Sequence, residues 1–370
     1  MTRSLPGVPD QQLRPGGWAN RLQSVATSVG LKVIPWVPTS AKRLLSGGRA
    51  VIIDGNTLDL TLQLALSGLR AFGLNGLVLG QDAAISRAQL REMTVAFAVP
   101  QIHVGVRDVS IPGPAGPIAA RHYLPATSDP APLVVFYHGG GWTIGDLDTH
   151  DPLCRLTCRD ADVHVLSIDY RLAPEHPAPA AVDDAYAAFK WACEHAEDLG
   201  AIPDKVAVGG DSAGGNLAAV VSQLARDKDP QGPQPALQWL IYPATDFTAR
   251  TRSLSLFADG LLLTKADIDW FSEQYLGGSA LDRADPRVSP LLAESLAGLP
   301  PALIATAGFD PLRDEGDRYA AALSAAGTPV DLRSMGSLTH GFASLFPLGG
   351  GSAQATTELI SALRAHLSRV

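Results

Sequence analysis

The sequence predicts an α/β protein: a mostly parallel sheet of about eight strands, with helices on both faces and a helical cap. Two observations carry this prediction. From residue 101 onward, short β-rich runs alternate with longer helical patterns, as in strand–helix–strand units of a parallel sheet. Before residue 101, apolar residues recur only at helical spacing. We therefore predict a helical cap region at residues 1–100 and a sheet-based domain at residues 101–370.

The amino-terminal region carries three helical patterns. Apolar residues share one helical face over residues 18–33, from Trp18 to Val33, and again over residues 58–74. The third pattern covers residues 86–97, with Ser86 as its amino-terminal cap. No alternation of apolar and polar residues indicates a sheet in this region.

The second region contains the strands. They are predicted at residues 106–111, 118–124, 133–138, 163–168, 205–208, 237–242, 302–306 and 330–335. The turn joining the first two is too short for a helical crossover, so we expect these two strands to pair antiparallel. Helices are predicted between the later strands, at residues 149–159, 179–197, 213–226, 310–326 and 357–367.

The connection between the sixth and seventh strands is unusually long and has its own helical pattern at residues 265–275. Ligands of α/β sheets bind beyond the carboxyl ends of strands. We therefore expect an insertion at about residues 244–290 to contribute to the cap.

Composition excludes several function classes. With 29 Lys and Arg against 37 Asp and Glu, the formal net charge is −8, which argues against a nucleic-acid partner. Three cysteines are too few and too uneven for a disulfide framework, so we expect a reducing, cytoplasmic location. The first residues lack the apolar core of a secretory signal. The most apolar stretch, residues 58–79, is interrupted by polar residues, so no transmembrane segment is predicted.

The sharpest local signal is the G-x-S-x-G pattern of Gly210-Asp211-Ser212-Ala213-Gly214. An apolar strand runs into it and a helix runs out of it, which is the context of a nucleophile elbow. At that helix amino terminus, Ser212 has backbone amides and the positive end of the helix dipole nearby. The alternative interpretations are an ordinary Gly/Ser-rich turn, or a phosphate-binding loop that lacks its Lys.

A second glycine-rich loop, His-Gly-Gly-Gly-Trp at residues 138–142, also follows an apolar strand. Consecutive glycines allow several amides to point at one oxygen, and the HGGG pattern supplies an oxyanion hole in lipases and esterases. The expected donors are the amides of Gly139, Gly140 and Gly141, together with the Ala213 amide. His138 is expected to anchor this loop rather than to act as a base.

A serine nucleophile needs a base, and the base needs an orienting carboxylate. In enzymes with a nucleophile elbow, the three catalytic residues follow along the chain in the order Ser, acid, His. His340, in a loop after the last predicted strand, is preferred over His366, which lies in the terminal helix. Asp310 is the preferred acid because it follows a strand, although an Asp there could simply cap the next helix. Helical geometry should turn both Asp314 and Glu315 away from the strand edge, and Asp314 is kept as a supporting candidate.

Together these motifs resemble a known family. They are HGGGW at 138–142, YRLAPEHPAP at 170–179, GDSAGGN at 210–216, DPLRDEG at 310–316 and HGF at 340–342. The combination resembles the hormone-sensitive-lipase-like branch of the α/β-hydrolases, the bacterial family IV carboxylesterases, from about residue 101 to the end. The amino-terminal region is longer than the usual cap of that family, which leaves the shape of the pocket open.

The resemblance implies an α/β-hydrolase fold and ester hydrolysis without a cofactor. It also implies a triad of Ser212, Asp310 and His340, a cap made of the amino-terminal helices and the insertion, and often a homodimer. The predicted function is that of a serine carboxylesterase, acting on short-to-medium acyl esters through an acyl-enzyme.

Three alternatives stay open. The same residues would serve an amidase or deacetylase acting on a larger metabolite. The second alternative is a small-molecule receptor, because the plant gibberellin receptors resemble this family. Those receptors have lost the catalytic His, whereas His340 is present here. Third, the apolar helices before residue 97 could dock on a membrane or a partner, with Lys32, Lys42 and Arg43 on the interfacial face.

Two further motifs are interpreted as structural. Arg171 and Glu175, in the motif at 170–179, are expected to form an ion pair near the floor of the site. Cys154 and Cys158 share a helix face, but no second pair of ligands follows them, and the histidines lack metal-binding spacing. We therefore expect no metal site.

Overall fold

A computed structural model describes residues 32–71, 73, 75–96, 102–259 and 261–369. Apart from residues 32 and 33, the helix expected at 18–33 lies outside the described residues. An eight-stranded sheet forms the centre of the fold. Its strands are β1 (Gly105–Gly113), β2 (Gly116–Leu124), β3 (Ala131–Tyr137), β4 (His164–Asp169), β5 (Ala201–Asp211), β6 (Gln238–Ile241), β7 (Ala302–Phe309) and β8 (Val330–Thr339).

The order of strands in this sheet is β8-β7-β6-β5-β3-β4-β2-β1. Strand β2 pairs antiparallel with both β1 and β4, and the other neighbours pair parallel. The predicted fold class is confirmed, including the antiparallel first pair. Because the six strands from β3 to β8 run parallel to one another, their carboxyl ends lie at one edge of the sheet, and the loops that follow them meet there.

The helices of the described residues are α1 (Thr39–Leu45), α2 (Leu60–Ala71), α3 (Ala83–Ala96), α4 (Leu147–Ala161), α5 (Ala180–Glu194), α6 (Ala213–Lys228), α7 (Arg252–Leu256), α8 (Lys265–Leu276), α9 (Arg313–Ala325) and α10 (Gly350–Leu367). Helices α5, α6 and α9 cover one face of the sheet, and α4 and α10 cover the other. Strand β3 serves both cores: Leu133, Val135 and Tyr137 face the first, whereas Val134 and Phe136 face the second.

Two amino-terminal predictions were wrong in detail. A hairpin of two-residue strands, Ile52–Ile53 and Asn56–Thr57, turns through Asp54 and Gly55 in the left-handed region, and it is too short to produce a visible alternation. Helix α3 begins at Ala83 rather than at Ser86.

The cap of α3 is Asp82, whose carboxylate accepts the Ala84 N–H at 2.8 Å. The buried Ser86 hydroxyl instead accepts the Leu79 N–H at 3.1 Å from inside the helix. Ser86 therefore ties the preceding loop to α3 and does not begin the helix.

The amino-terminal region and the insertion are joined by a carboxylate. Asp267, at the start of α8, accepts the N–H groups of Leu77 at 3.2 Å and Val78 at 3.0 Å. From α3, the Arg87 guanidinium donates to the Thr143 carbonyl at 2.7 Å. These contacts hold both segments above the carboxyl edge of the sheet, although the predicted domain boundaries stay a prediction.

The expected Arg171–Glu175 ion pair is not formed. Arg171 pairs instead with the buried Asp184 of α5 at 2.8 Å, and Glu175 pairs with Arg87 at 2.7 Å. Each side chain finds its partner on a different helix, one below the motif and one above it. The residues 170–179 therefore link α5 to the amino-terminal region.

Among the described residues, no helix is both long enough and apolar enough to cross a membrane.

Candidate active site

The turn between β5 and α6 carries Ser212 in a strained conformation, with φ 55° and ψ −115°. Such a turn requires close backbone packing on both sides. A Cβ at Gly214 would lie 1.8 Å from the Tyr137 carbonyl oxygen, and one at Gly210 would lie 2.3 Å from the same atom. Only glycine fits these two positions. The sharp turn is held by the Ser212 N–H, which donates to the Ile241 carbonyl at 2.8 Å.

Three side chains from three strand ends meet beside this turn. The Ser212 Oγ lies 2.9 Å from His340 Nε2, and His340 Nδ1 lies 2.8 Å from Asp310 Oδ2. Asp310 and His340 are buried. The other Asp310 oxygen accepts the Leu312 N–H at 2.8 Å, which fixes the carboxylate. The three residues selected from the sequence therefore form one continuous hydrogen-bonded chain, in the geometry of a nucleophile, its base and an orienting acid.

The glycine loop after β3 lies beside Ser212. Gly140 and Gly141 have φ values of 112° and 57°, a region where glycine is at ease. A Cβ at Gly140 would lie 2.2 Å from the Ile144 carbonyl oxygen, and one at Gly141 would lie 2.2 Å from the Phe271 ring. The loop therefore packs tightly against its own next turn and against helix α8 of the insertion.

Gly139 differs from its two neighbours. Its N–H donates to Asp211 Oδ1 at 2.8 Å, so this amide is not free to donate to a substrate oxygen. The sequence expectation that Gly139 belongs to the set of donors is not supported by this geometry. Gly140, Gly141 and Ala213 remain as candidate donors.

Asp211 was not selected from the sequence, although it precedes Ser212 directly. Its buried carboxylate also lies 3.2 Å from His150 Nε2. Burial raises the pKa of this carboxyl, but the His150 imidazole and the Gly139 amide outweigh burial, and the net pKa is lowered. Asp211 is therefore a buried anion that connects the glycine loop to the nucleophile turn.

His138 anchors the other end of the glycine loop. Its Nδ1 lies 2.8 Å from the Gly139 carbonyl oxygen, and its ring stacks on Tyr170 at 4.3 Å between centroids. Burial, reinforced by His150, lowers the pKa of His138 to about 4. A neutral, enclosed ring has a structural role here, as expected.

Glu315 was expected to point away from the site, and that expectation was wrong. The buried side chain turns inward to the loop after β6, where Oε1 accepts the Thr245 N–H at 2.7 Å. Burial raises the pKa of Glu315 to about 8. Asp314, in contrast, pairs with Arg313 and accepts the Ser253 N–H at 2.8 Å. The sequence shows two adjacent acids about one turn after Asp310, but the rotation of the helix about its axis decides which of the two is buried.

A cavity of about 650 Å³ opens above Ser212 and His340. Its walls are mostly apolar, and they come from the amino-terminal region, the glycine loop and the insertion. The wall residues include Leu77, Leu90, Met93, Trp142, Phe247, Leu263, Ile268, Phe271, Leu345 and Phe346. An apolar space that ends on a few polar atoms suits a substrate with a hydrocarbon part and one reactive polar group.

Across residues 32–369, as far as the structure describes them, no cluster of three or more His, Cys, Asp or Glu could hold a metal ion. Cys154 and Cys158 are buried in α4 and unpaired by any disulfide. Burial raises the pKa of both thiols, so they are neutral packing groups.

Comparison with known proteins agrees with this geometry. A family model described as an α/β hydrolase fold matches residues 134–344. The chain is 69% identical to the carboxylic ester hydrolase LipN of Mycobacterium tuberculosis, with all of both chains covered. It is 39% identical to the ethyl acetate hydrolase of Pseudomonas putida, over 68% of this chain and 79% of that one.

Solved structures agree as well. An α/β-hydrolase enzyme from the metagenome of Lake Arreo superposes with a TM-score of 0.78 at 40% identity, covering 84% of this chain and 99% of that chain. The esterase of the archaeon Pyrobaculum calidifontis gives a TM-score of 0.73 at 39% identity, covering 77% and 93%.

Proposed function

Because this chain belongs to the α/β-hydrolase family, in its hormone-sensitive-lipase-like branch, we propose that it hydrolyses carboxylic esters with Ser212 as nucleophile. The chain is a carboxylic ester hydrolase by its relationship to enzymes named as carboxylic ester hydrolases and esterases. The observation that carries the assignment of residues is the hydrogen-bonded chain Asp310–His340–Ser212 at the floor of the cavity.

In the first half of the reaction, His340 Nε2 removes the Ser212 proton while Oγ attacks the ester carbonyl carbon. The imidazolium that forms is stabilised by the Asp310 carboxylate, 2.8 Å from Nδ1. His340 then gives this proton to the leaving alkoxide oxygen. The C–O bond breaks, the alcohol departs and the acyl group stays on Ser212.

In the second half, a water molecule takes the place of the alcohol. His340 accepts one of its protons as the oxygen attacks the acyl carbon, and it returns that proton to Ser212 as the carboxylic acid leaves. Both tetrahedral intermediates carry a negative oxygen. The amides of Gly140, Gly141 and Ala213 would stabilise it, because they are fixed in place before the charge develops.

The cavity supports short-to-medium acyl chains as substrates. Its volume of about 650 Å³ and its apolar walls leave space for a hydrocarbon part on either side of the ester. Many wall residues come from the amino-terminal region and the insertion, so acyl preference depends on those segments rather than on the triad.

The cellular location and the oligomeric state of the protein are also part of the proposal. Three free cysteines support a reducing, cytoplasmic location, and a homodimer is the assembly that the family resemblance favours. Neither statement changes the chemistry at Ser212.

The test is a rate series on p-nitrophenyl esters of increasing acyl length, with matched p-nitroanilides alongside. We expect kcat/KM to be highest for short-to-medium esters and to fall for long chains, with anilides far slower. Hydrolysis of anilides as fast as esters would favour an amidase, and tight binding of esters without turnover would overturn the proposed function.

A further inference from the structure

The amino-terminal region exposes large apolar side chains on two consecutive elements. Trp36 is 84% exposed, Leu44 is 78% exposed and Leu45 is 64% exposed. Trp36 ends a short 3-10 turn, Ile34–Trp36, and the two leucines end α1. Both elements pack on α2, and only Val37 and Pro38 separate them along the chain. We call the surface formed by Trp36, Arg43, Leu44, Leu45 and Arg49 the apolar–basic surface.

The same segment is strongly basic in an otherwise acidic protein. Residues 1–53 contain seven Lys and Arg but one Asp, whereas residues 54–370 contain 22 Lys and Arg against 36 Asp and Glu. Arg43 and Arg49 are exposed, and neither pairs with a carboxylate among the described residues. Lys42, which was expected from the sequence on an interfacial face, is not part of the apolar–basic surface. It is buried and donates to Thr61 Oγ1 at 2.9 Å.

This combination distinguishes between partners. Exposed Trp and Leu beside unpaired arginines suit an interface that is anionic at its surface and apolar beneath it. A second copy of this chain fits less well, because the two basic surfaces would repel each other.

The apolar–basic surface adjoins the cavity. Its Ile34–Trp36 turn packs against the Phe346–Leu348 turn, and Phe346 and Pro347 line the cavity above Ser212. A partner bound at Trp36 would therefore lie next to one wall of the site.

We propose that the apolar–basic surface docks on bilayers that contain anionic lipids, with Trp36, Leu44 and Leu45 entering the interface and Arg43 and Arg49 facing the lipid phosphates. Docking places the adjoining cavity at the bilayer surface, where it meets esters that partition into lipid. The docking itself does not depend on the proposed function. Only the supply of lipid-soluble esters to the cavity rests on the proposed function.

The experiment is sedimentation of the full chain with phosphatidylcholine vesicles, without and with about 30% phosphatidylglycerol, at about 0.1 M and about 0.5 M salt. We expect binding to the anionic vesicles at low salt, and weak binding to neutral vesicles or at high salt. R43E and R49E should each lower the partition coefficient at least about fivefold, since one cation near an anionic surface contributes about that factor. W36A and L44A should weaken binding without changing its salt dependence.

Two matched controls lie elsewhere on the surface. Arg318→Glu changes an exposed Arg on α9, and Leu332→Ala changes a leucine that is 40% exposed on β8; both should bind vesicles as the parent chain does. Each variant is also assayed in solution on a soluble p-nitrophenyl ester, where all should retain the parent rate. If the parent chain itself did not hydrolyse the soluble ester, the proposed function would be overturned, but the docking result would be unaffected.

Three outcomes would overturn the docking proposal. The first is no binding to anionic vesicles. The second is equal binding of R43E, R49E and the parent chain. The third is a concentration-dependent dimer that L44A and W36A dissociate, which would identify the surface as a contact between copies.

Discussion

The floor of the cavity and its walls are built in opposite ways. On the floor, Asp310, His340, Asp211 and Glu315 are buried, and each makes hydrogen bonds at defined positions. The walls are mostly apolar side chains such as Phe271, whose packing is not directional. Reactivity here therefore depends on angles and distances set by strand ends, whereas substrate fit depends on shape. Floor variants should therefore lose kcat steeply, and wall variants should mainly alter chain-length preference.

The largest expected effect is that of Ser212→Ala. Removing the nucleophile should lower kcat by about 10⁶-fold, as in triads whose members act as a unit. Leu263→Met, a wall variant, is the matched comparison, and it should keep kcat within about tenfold because a swap that nearly conserves volume costs little. Turnover is followed with p-nitrophenyl butyrate. Similar losses in the two variants would contradict the distinction between floor and walls.

The next largest effect is expected at the glycine loop. A methyl group at Gly140 would meet the Ile144 carbonyl oxygen at 2.2 Å, so Gly140→Ala must shift the amides that stabilise the oxyanion. We expect kcat to fall about 10²- to 10³-fold. Gly327→Ala is the control, because Gly327 also has a positive φ, 87°, but no atom within 4 Å of the added methyl group. An equal loss of kcat in both variants would indicate general backbone strain.

A smaller effect should follow from loss of the Asp211 anchor. Asp211→Ala leaves the Gly139 N–H without its acceptor at 2.8 Å, which should lower kcat about tenfold or more with little change in KM. Asp211→Asn keeps an oxygen acceptor, so it should recover most of that loss. If the Asn and Ala variants behaved alike, the Gly139 hydrogen bond would not be what positions the loop.

The smallest effect concerns stability at Glu315. Its pKa is raised from 4.5 to about 8 by burial, so the folded chain holds a proton that the unfolded chain has released across this window. The free energy of unfolding must therefore fall as the pH rises from about 4.5 to about 8. Glu315→Gln removes this dependence. Thermal unfolding curves should show the Tm of the variant gaining on the parent by a few degrees between those limits, and parallel curves would contradict the pKa.

Much of the fold could be predicted from the sequence because its long elements repeat their patterns several times. All eight strands of the main sheet were predicted, as were α4 to α6 and α8 to α10, with shifts at their ends. Helix α1, helix α7 and the hairpin at residues 52–57 were missed. Each has too few residues to establish a period.

The residues of the site also differ in how far they could be predicted from local patterns. Ser212, Asp310 and His340 could be selected because each follows a strand end in a local motif, and the strands bring those ends together. Three contacts could not be predicted: the partner of Arg171, the inward turn of Glu315 and the hydrogen bond from Gly139 to Asp211. They are contacts between distant segments, and a single sequence does not record which of several nearby acids faces inward.

The role of Ser212 as the nucleophile can be tested by covalent labelling with a p-nitrophenyl phosphonate, followed by mass spectrometry of the intact chain and its peptides. Attack by Oγ on phosphorus should release one p-nitrophenolate and leave one phosphonyl group on Ser212. His340→Ala should slow this step by at least about 10³-fold, because its base is gone. An active enzyme labelled at another residue, or equally fast labelling of Ser212 without the imidazole, would contradict the account.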